Sequence, residues 1–403
     1  MSGVPSREDG ERRPHLRVGN ETADIAGFTN AHIQCALDRI GHLGGGTVEL
    51  TEGAFDMFDS LHLRSGVTVI GQGADTVLRK AAMKRANVAT FLGYGHRDLI
   101  VDQPDTFELG EGILVGDRNA RGFYETVSTL VRREGDTWFT SRPHAHDYTE
   151  EADGFVKTLF PVVSAVDVKE AAVERLTIDG NADRNDQLGG CRGGGFFAHR
   201  ADRILARRVR VHRFNGEGFS FQTCDDLELD GCLAEYCSGN GFHPGSGSNC
   251  FHIHDCAARH CGANGLFYCL RVRDGVLEDC TFEGNGGHGV SIGGRDTGHL
   301  NRRLTIRHNR GAGICLRQGD RSVAPHDNTI EQCLLERNAA DEGAAEIVLQ
   351  GESEGIRLIG NRIQRRPDRP GILVMPEMPE FEQCDNRIEP GGEGAVIRLG
   401  CPE

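Results

Sequence analysis

The sequence predicts an all-β fold, a right-handed parallel β-helix with three short strands per coil and about 24 residues per coil. Three observations lead there. Hydrophobic columns recur at a fixed period, glycine is abundant while proline is sparse, and no amphipathic helical pattern of about ten residues or more occurs between 165 and 403.

The period comes first. A repeated unit of glycine, apolar, any residue, apolar sets Phe196, Phe219, Phe242, Leu266, Val290 and Ile314 in one column, with steps of 23, 23, 24, 24 and 24 residues. Leu229, Ile253 and Leu277 form a second column, and Cys232, Cys256 and Cys280 a third, all in steps of 24. Leucine-rich repeats would need a dense leucine consensus with a characteristic asparagine, which is missing. Period-two alternation over four or five residues, broken by glycine-rich turns, fits short strands instead. Glycine supplies 55 of the 403 residues and proline only 13. The pairs Asn215-Gly216, Asn240-Gly241, Asn264-Gly265 and Asn285-Gly286 are expected to take the left-handed conformation at corners. Coils then stack about 4.8 Å apart.

The other elements follow in chain order. Residues 1–20 are polar and charged and read as a loose tail, and residues 21–403 as one β-helix domain. Thr29–Ile40 carries Ile33, Ala36, Leu37 and Ile40 at helical spacing, which predicts a helix covering the open core end within a cap of residues 21–45. GGGTVEL, SLHLRS and VTVIGQG read as the first strands. A segment of about 105–160, with Trp138, His144, His146 and Tyr148, breaks the period and reads as a β-rich insertion leaning beside the groove. The period resumes over Val173–Asp179.

Composition excludes several functions. A formal net charge of −15 argues against a nucleic-acid partner. No run approaches eighteen apolar residues, so no membrane span is expected. The first twenty residues lack an apolar segment of the secretory kind, and fourteen cysteines are expected as reduced thiols, both pointing to a bacterial-type cytoplasm. Side-by-side self-association into a homo-oligomer stays open.

A capping helix followed by GGGTVEL, then VTVIGQGADTVLRK, then coils containing LTIDGN (176–181), GFHPGSGS (241–248), GLFYCLRVR (265–273) and GHGVSIGGRDT (287–297) resembles the pectate-lyase-like superfamily of right-handed β-helices. The resemblance covers nearly the whole chain after residue 20. It implies the fold and a carbohydrate groove, with a choice among lyase, hydrolase, epimerase and non-catalytic binder. Some members of that superfamily use Ca²⁺, but no dense acidic cluster here calls for it, so no cofactor or metal is expected.

Strand side chains alternate, so the residues after the column should face outward. These are Phe197, Ser220, His243, Phe267, Ser291 and Cys315, followed two positions on by His199, Gln222, Gly245, Cys269, Gly293 and Arg317. Arg271 and Arg295 each stand five residues past a column position, with Arg273 nearby. Like charges in equal register repel, and either an anionic ligand or Asp274, Asp296 or Glu278 would compensate. His243, between Phe242 and a run of proline and small residues, is the candidate base or acid. His199, His288, Gln222, Phe267, Arg273, Asp296, Arg317 and Tyr148 are candidate substrate contacts. The recurring cysteines read as stacked core residues, because zinc pairs of short spacing are missing.

The expected partner is therefore an acidic oligosaccharide or polysaccharide. The expected reaction is β-elimination or C5 epimerisation of a uronate, with Arg271 and Arg295 neutralising its carboxylate and His243 moving the proton. One alternative is a glycoside hydrolase using carboxylates among Asp179, Glu217, Asp225, Asp226 and Asp296, although no pair stands out at the separation hydrolysis requires. Another is a glycan-binding β-helix without catalysis.

Overall fold

A computed structural model describes residues 14–341 and 343–400. The repeat folds as its period implies, into a right-handed parallel β-helix. One sheet of eleven parallel strands carries the first column, in the register Phe196, Phe219, Phe242, Leu266, Val290, Ile314, Ile347, Ile372. All eight side chains are fully buried in one continuous core. The other two strands of each coil belong to a second, 22-stranded sheet. Its two faces fuse because Ala172–Asp179 and Leu205–His212 run through the corner between them, bending at Arg175 and Arg208.

The second and third columns also hold. Leu229, Ile253 and Leu277 pair in register. Cys232, Cys256 and Cys280 stack beneath one another, with the Cys232 amide donating to Cys256 Sγ at 3.2 Å. The Cys256 and Cys280 thiols turn to the Leu229 and Ile253 carbonyls of the preceding coil, at 3.3 and 3.6 Å. Such thiols act as small hydrophobes with a weak donor.

The corners differ from expectation. Of the four Asn-Gly pairs, only Gly216 has a positive φ. The left-handed corners fall elsewhere, in stacked sets such as Arg208, Gly231, Asp255, Asp279 and Arg303, or Thr223, Gly247, Arg271 and Arg295. Asparagine serves by its side chain instead. Asn285 donates its amide and its Nδ2 to Asn309 Oδ1, and Asn309 does the same to Asn338, coil on coil. The glycine of the repeated unit answers to space rather than to φ. A Cβ on Gly265 would lie 2.6 Å from the Gly289 carbonyl oxygen and 2.7 Å from the Phe282 ring.

The asparagine ladder ends on Glu346, which is fully buried where other coils have glycine. Asn338 Nδ2 donates to Glu346 Oε2 at 2.6 Å, and Oε1 has no partner among the described residues. Burial pushes its pKa up to about 7. Folding therefore retains a proton there that the unfolded chain releases from about pH 4.5 upward, and stability falls as pH rises through about 7. Glu346→Gln, neutral throughout, is expected to be more stable than wild type at pH 8, by about 1–3 kcal/mol, with the gap closing below pH 5. Denaturant melts at the two pH values check this.

The amino-terminal elements set the groove's upstream end. The helix spans Asn30–His42 and buries Ile33, Ala36, Leu37 and Ile40 against the first coils. The expected tail is shorter than 1–20, since His15–Gly19 is a strand paired with Gly46–Leu50; residues 1–13 lie outside the described residues. The insertion is antiparallel and begins earlier than 105. Its six strands start at Arg85–Asn87 and end at Phe155–Lys157, around a separate core that includes Leu99, Val115, Leu130, Trp138 and Val156.

Candidate functional site

The outward face of the eleven-stranded sheet is more covered than the alternation suggests. Phe197, Ser220, His243, Ser291 and Cys315 all point away from the core, yet each is buried. Arg317 covers Ser291 and Val348 packs on Cys315, while two segments cover the earlier coils. The insertion leans over the first coils, and the glycine-rich stretch LGGCRGGG (188–195) crosses the coils behind it.

Between the insertion and the sheet lies a small, partly open cavity of about 70 Å³. Its sheet side presents Ser164, Val166, Phe197 and His199, its insertion side Val127–Thr129, Ser141 and Arg142, and its edges His62, Asp59 and Arg192. His199 stands in register between Val166 and Gln222. Burial, and then the charges of Arg200 and Arg192, lower its pKa to about 4, so the imidazole is neutral at pH 7. Arg200 is held by Asp167 through two bonds of 2.6 and 2.7 Å. Arg142 has no carboxylate partner among the described residues, and Arg192 donates one nitrogen to the Phe123 carbonyl while its buried Nε bonds to nothing. Asp59 accepts from the Ser60 amide and Thr129 Oγ1, both at 2.7 Å, and orients His62, whose Nε2 is 3.2 Å away. A neutral base beside unpaired guanidinium groups can take a proton from an anion that those groups hold.

Farther along the sheet, under Gly190, lies His243. Glu217 Oε1 is 3.6 Å from its Nδ1, the Phe267 ring stands edge-on at 5.5 Å, and the Cys269 thiol flanks the ring. Burial opposes its charging, but the Cys269 sulfur and the Glu217 carboxylate outweigh that and raise its pKa to about 9. At neutral pH His243 is thus an imidazolium, suited to donate rather than to accept. Gln222, in the coil before it, is buried and donates to the Gly190 carbonyl at 3.3 Å.

The remaining candidates do not converge on His243. Arg271 and Arg295 occupy adjacent left-handed corners and are exposed, Arg295 Nε donating to the Ser322 carbonyl at 2.6 Å. Neither has a carboxylate partner among the described residues. Equal register here follows from the corner geometry, and the side chains splay into solvent, as does Arg273. Tyr148 is sealed inside the insertion, its hydroxyl bonded to Thr126 Oγ1 and the Tyr124 carbonyl at 2.7 and 2.6 Å, and burial raises its pKa to about 12. His288 accepts the Ala312 amide at 2.9 Å, in a turn.

Arg317 acts as a strut. It stacks over Phe267 at 4.3 Å and donates to Ser291 Oγ, the Tyr268 carbonyl and the fully buried Asp296. Asp296 also accepts the Val272 and Gly293 amides, at 3.1 and 2.9 Å. Asp296→Asn replaces one acceptor oxygen by an amide that faces donors, and is expected to cost about 1–3 kcal/mol, read as a lowered thermal midpoint.

The other carboxylates named from the sequence are similarly engaged. Asp179 lies 3.5 Å from Arg79, Asp225 accepts from Asn249, and Glu217 accepts the Asn240 side chain at 3.1 Å. Asp226 is exposed at a corner. One grouping among the described residues, Glu228, Asp230 and His254, brings three potential metal-ligand atoms within 4.8 Å, but on the other sheet. Arg207 already takes Asp230 at 2.6 Å, so this is an ion-pair network.

Arg142 and Arg192, with His62 and Asp59, are the residues that sequence reasoning missed. Arg142 comes from the insertion and Arg192 from an off-period glycine run, so no column marks either. The arginine embedded in CRGGG was the one visible signal.

Comparison with known proteins agrees with this architecture. The description "right handed beta helix region" matches residues 267–401. No curated protein matches the sequence. Among solved structures, the A-module of an Azotobacter vinelandii mannuronan C-5 epimerase superposes with TM-score 0.58 at 15% identity, covering 93% of this chain and 95% of that one. A polygalacturonase from Erwinia carotovora ssp. carotovora gives 0.57 at 12% identity, covering 99% and 100%. An endo-xylogalacturonan hydrolase from Aspergillus tubingensis gives 0.56 at 10%, covering 96% and 95%. At such identities the likeness concerns the fold.

Proposed function

We propose that this right-handed parallel β-helix is a carbohydrate-active enzyme that acts on an acidic oligosaccharide by removing the proton α to a uronate carboxyl group. The observation that carries the reading is His199, an uncharged imidazole that lines the cavity between sheet and insertion together with Arg142 and Arg192, with Arg200 beside it. Two of the similar structures are named for a C-5 epimerase and a polygalacturonase, which supports an acidic glycan as the ligand class.

In this reading Arg142 and Arg192 pair with the substrate carboxylate, which lowers the α-proton's pKa, and His199 takes the proton from C5. The electron pair moves into the carboxyl group. It returns either to expel the C4 oxygen, leaving a C4–C5 double bond, or to accept a proton on the opposite face. His62, oriented by Asp59, is the second imidazole in the cavity and is assigned the returning proton. The base is therefore His199 rather than His243, whose charged form suits donation. The thirteen described cysteines are free thiols, which suits a reducing compartment and short imported oligosaccharides as substrates.

A hydrolase would rest instead on Asp59 and on Glu125, whose carboxyl burial pushes its pKa up, in the groove adjoining the cavity. Products separate the two. Uronate-rich and neutral oligosaccharides are to be incubated with the protein in D₂O and read by ultraviolet absorbance, deuterium at C5 and new reducing ends. Absorbance or deuterium with uronates alone is the expected result; reducing ends with neither would remove the proton-abstraction reading.

A further inference from the structure

Three exposed aromatic side chains of the insertion, Phe123, Tyr124 and Tyr94, line one open groove. Their exposures are 47, 57 and 71%, high for rings of this size. The groove holds about 670 Å³ and shares Val127, Arg142 and Arg192 with the small cavity that holds His199. That volume falls in the range of about 300–1,000 Å³ usual for a small-molecule site, and the cavity alone lies well below it. A single exposed apolar residue is ordinary, but several gathered around one groove mark a contact surface.

The turns that carry these rings are held by their main chain. Tyr148, sealed in the insertion, donates its hydroxyl to the Tyr124 carbonyl at 2.6 Å, and Arg192 donates to the Phe123 carbonyl. The Tyr94 amide donates to Asp147 Oδ1 at 2.6 Å, and the Gly95 amide to the His144 carbonyl at 3.0 Å. His146 stands at 70° to the Tyr124 ring, with centroids 5.4 Å apart. Buried groups are thus committed to holding rings that remain in water. The groove also offers little to a further anion. Arg200 is taken by Asp167 through two bonds, Glu125 is itself a carboxyl, and His144 is turned to the Asp98 carbonyl. Arg142 and Arg192 border the cavity. What remains is chiefly aromatic surface.

We propose that this groove is the subsite for the sugar residue next to the reacting one, whose ring stacks on Tyr124 with Phe123 and Tyr94 beside it. This rests on the acidic-saccharide reading above and extends it to chain length. The face of an aromatic ring carries negative potential and attracts the positively polarised C–H bonds on one side of a pyranose, while both surfaces shed water. Stacking of this kind reads shape rather than charge. The reacting residue must then be a uronate, its neighbour is recognised by its ring whether acidic or neutral, and a monomer gains nothing from the groove.

The test uses the full chain with trigalacturonate, trimannuronate, galacturonate and mannuronate as probes, in titration calorimetry at low and high salt. Tyr124→Ala keeps both main-chain ties, because they end on carbonyl groups. It is expected to weaken trimer binding about tenfold and to leave monomer binding unchanged. Tyr124→Phe, which keeps the ring, is expected to bind the trimer as wild type does. The loss in Tyr124→Ala is expected to be equal at low and high salt, since salt screens charges and not stacking. Tyr94→Ala, on a separate turn, is expected to show the same split between trimer and monomer, and its result does not depend on how Tyr124→Ala folds. If both alanine variants bind the trimer as wild type does, if trimer and monomer lose alike, or if the loss vanishes at high salt, the stacking subsite is wrong while the cavity reading stands. If neither trimers nor monomers bind wild type, the acidic-saccharide reading falls, and the subsite with it.

Discussion

Replacing His199 by alanine is expected to lower turnover on a uronate substrate by about 10²–10⁴-fold, while KM changes little. The split follows from the division of labour in the cavity. Arg142 and Arg192 bind the carboxylate in ground state and transition state alike, whereas the imidazole matters once the proton moves. Arg142→Ala should therefore raise KM as well as lower kcat. The pH profile adds a second reading. With a pKa of about 4, His199 is an available base across the neutral range, and wild-type activity should fall only as the pH drops through about 4. Stability carries the same signature with the sign fixed by linkage. Between about pH 4 and 6.5 the unfolded chain binds a proton at this imidazole that the folded chain excludes, so wild-type stability rises with pH over that window. His199→Ala removes that contribution and should flatten the rise. Activity retained to within tenfold would take His199 out of the chemistry.

The fold was legible because its physics is periodic. Stacking at a fixed distance forces inward positions to recur every coil, and Phe196, Phe219, Phe242 and Leu266 declare that recurrence without a partner sequence. The stacked cysteines and the capping helix were legible for the same reason, since each answers to local spacing alone. The corners were not. A single left-handed residue turns the chain, and the structure places arginine, aspartate, histidine and tyrosine there, so residue type carried little signal. That is also why Arg271 and Arg295 looked like a pair: their common register is that of the corner, and alternation along a strand says nothing of a side chain beyond its end. His199, His243 and Gln222 were found because they lie on the strands. Arg142 and Arg192 come from segments outside the repeat, and their meeting with His199 is a matter of tertiary packing.

The largest effect on stability is expected from Phe242→Ala, at about 3–5 kcal/mol. Phe242 is fully buried, stacks on Phe219 with ring centroids 5.2 Å apart at 15°, and meets the edge of Phe282 at 6.4 Å. Removing it opens a void that the neighbours cannot close, because Gly241 behind it already touches Ala258 and the Gly265 carbonyl closely enough to exclude a methyl group. A solenoid adds a further consequence. Each coil is stabilised by the two coils it touches, so a void at Phe242 weakens the interfaces on both sides while leaving distant coils intact. Amide exchange should accordingly accelerate around Phe219, Phe242 and Leu266 before it does near the capping helix, and the denaturant midpoint should fall. Phe242→Leu, which keeps most of the volume, should recover more than half of the loss. A cost below about 1 kcal/mol for the alanine variant would mean that these side chains do not share one dry interior, since so small a change is what an exposed or loosely packed phenylalanine gives.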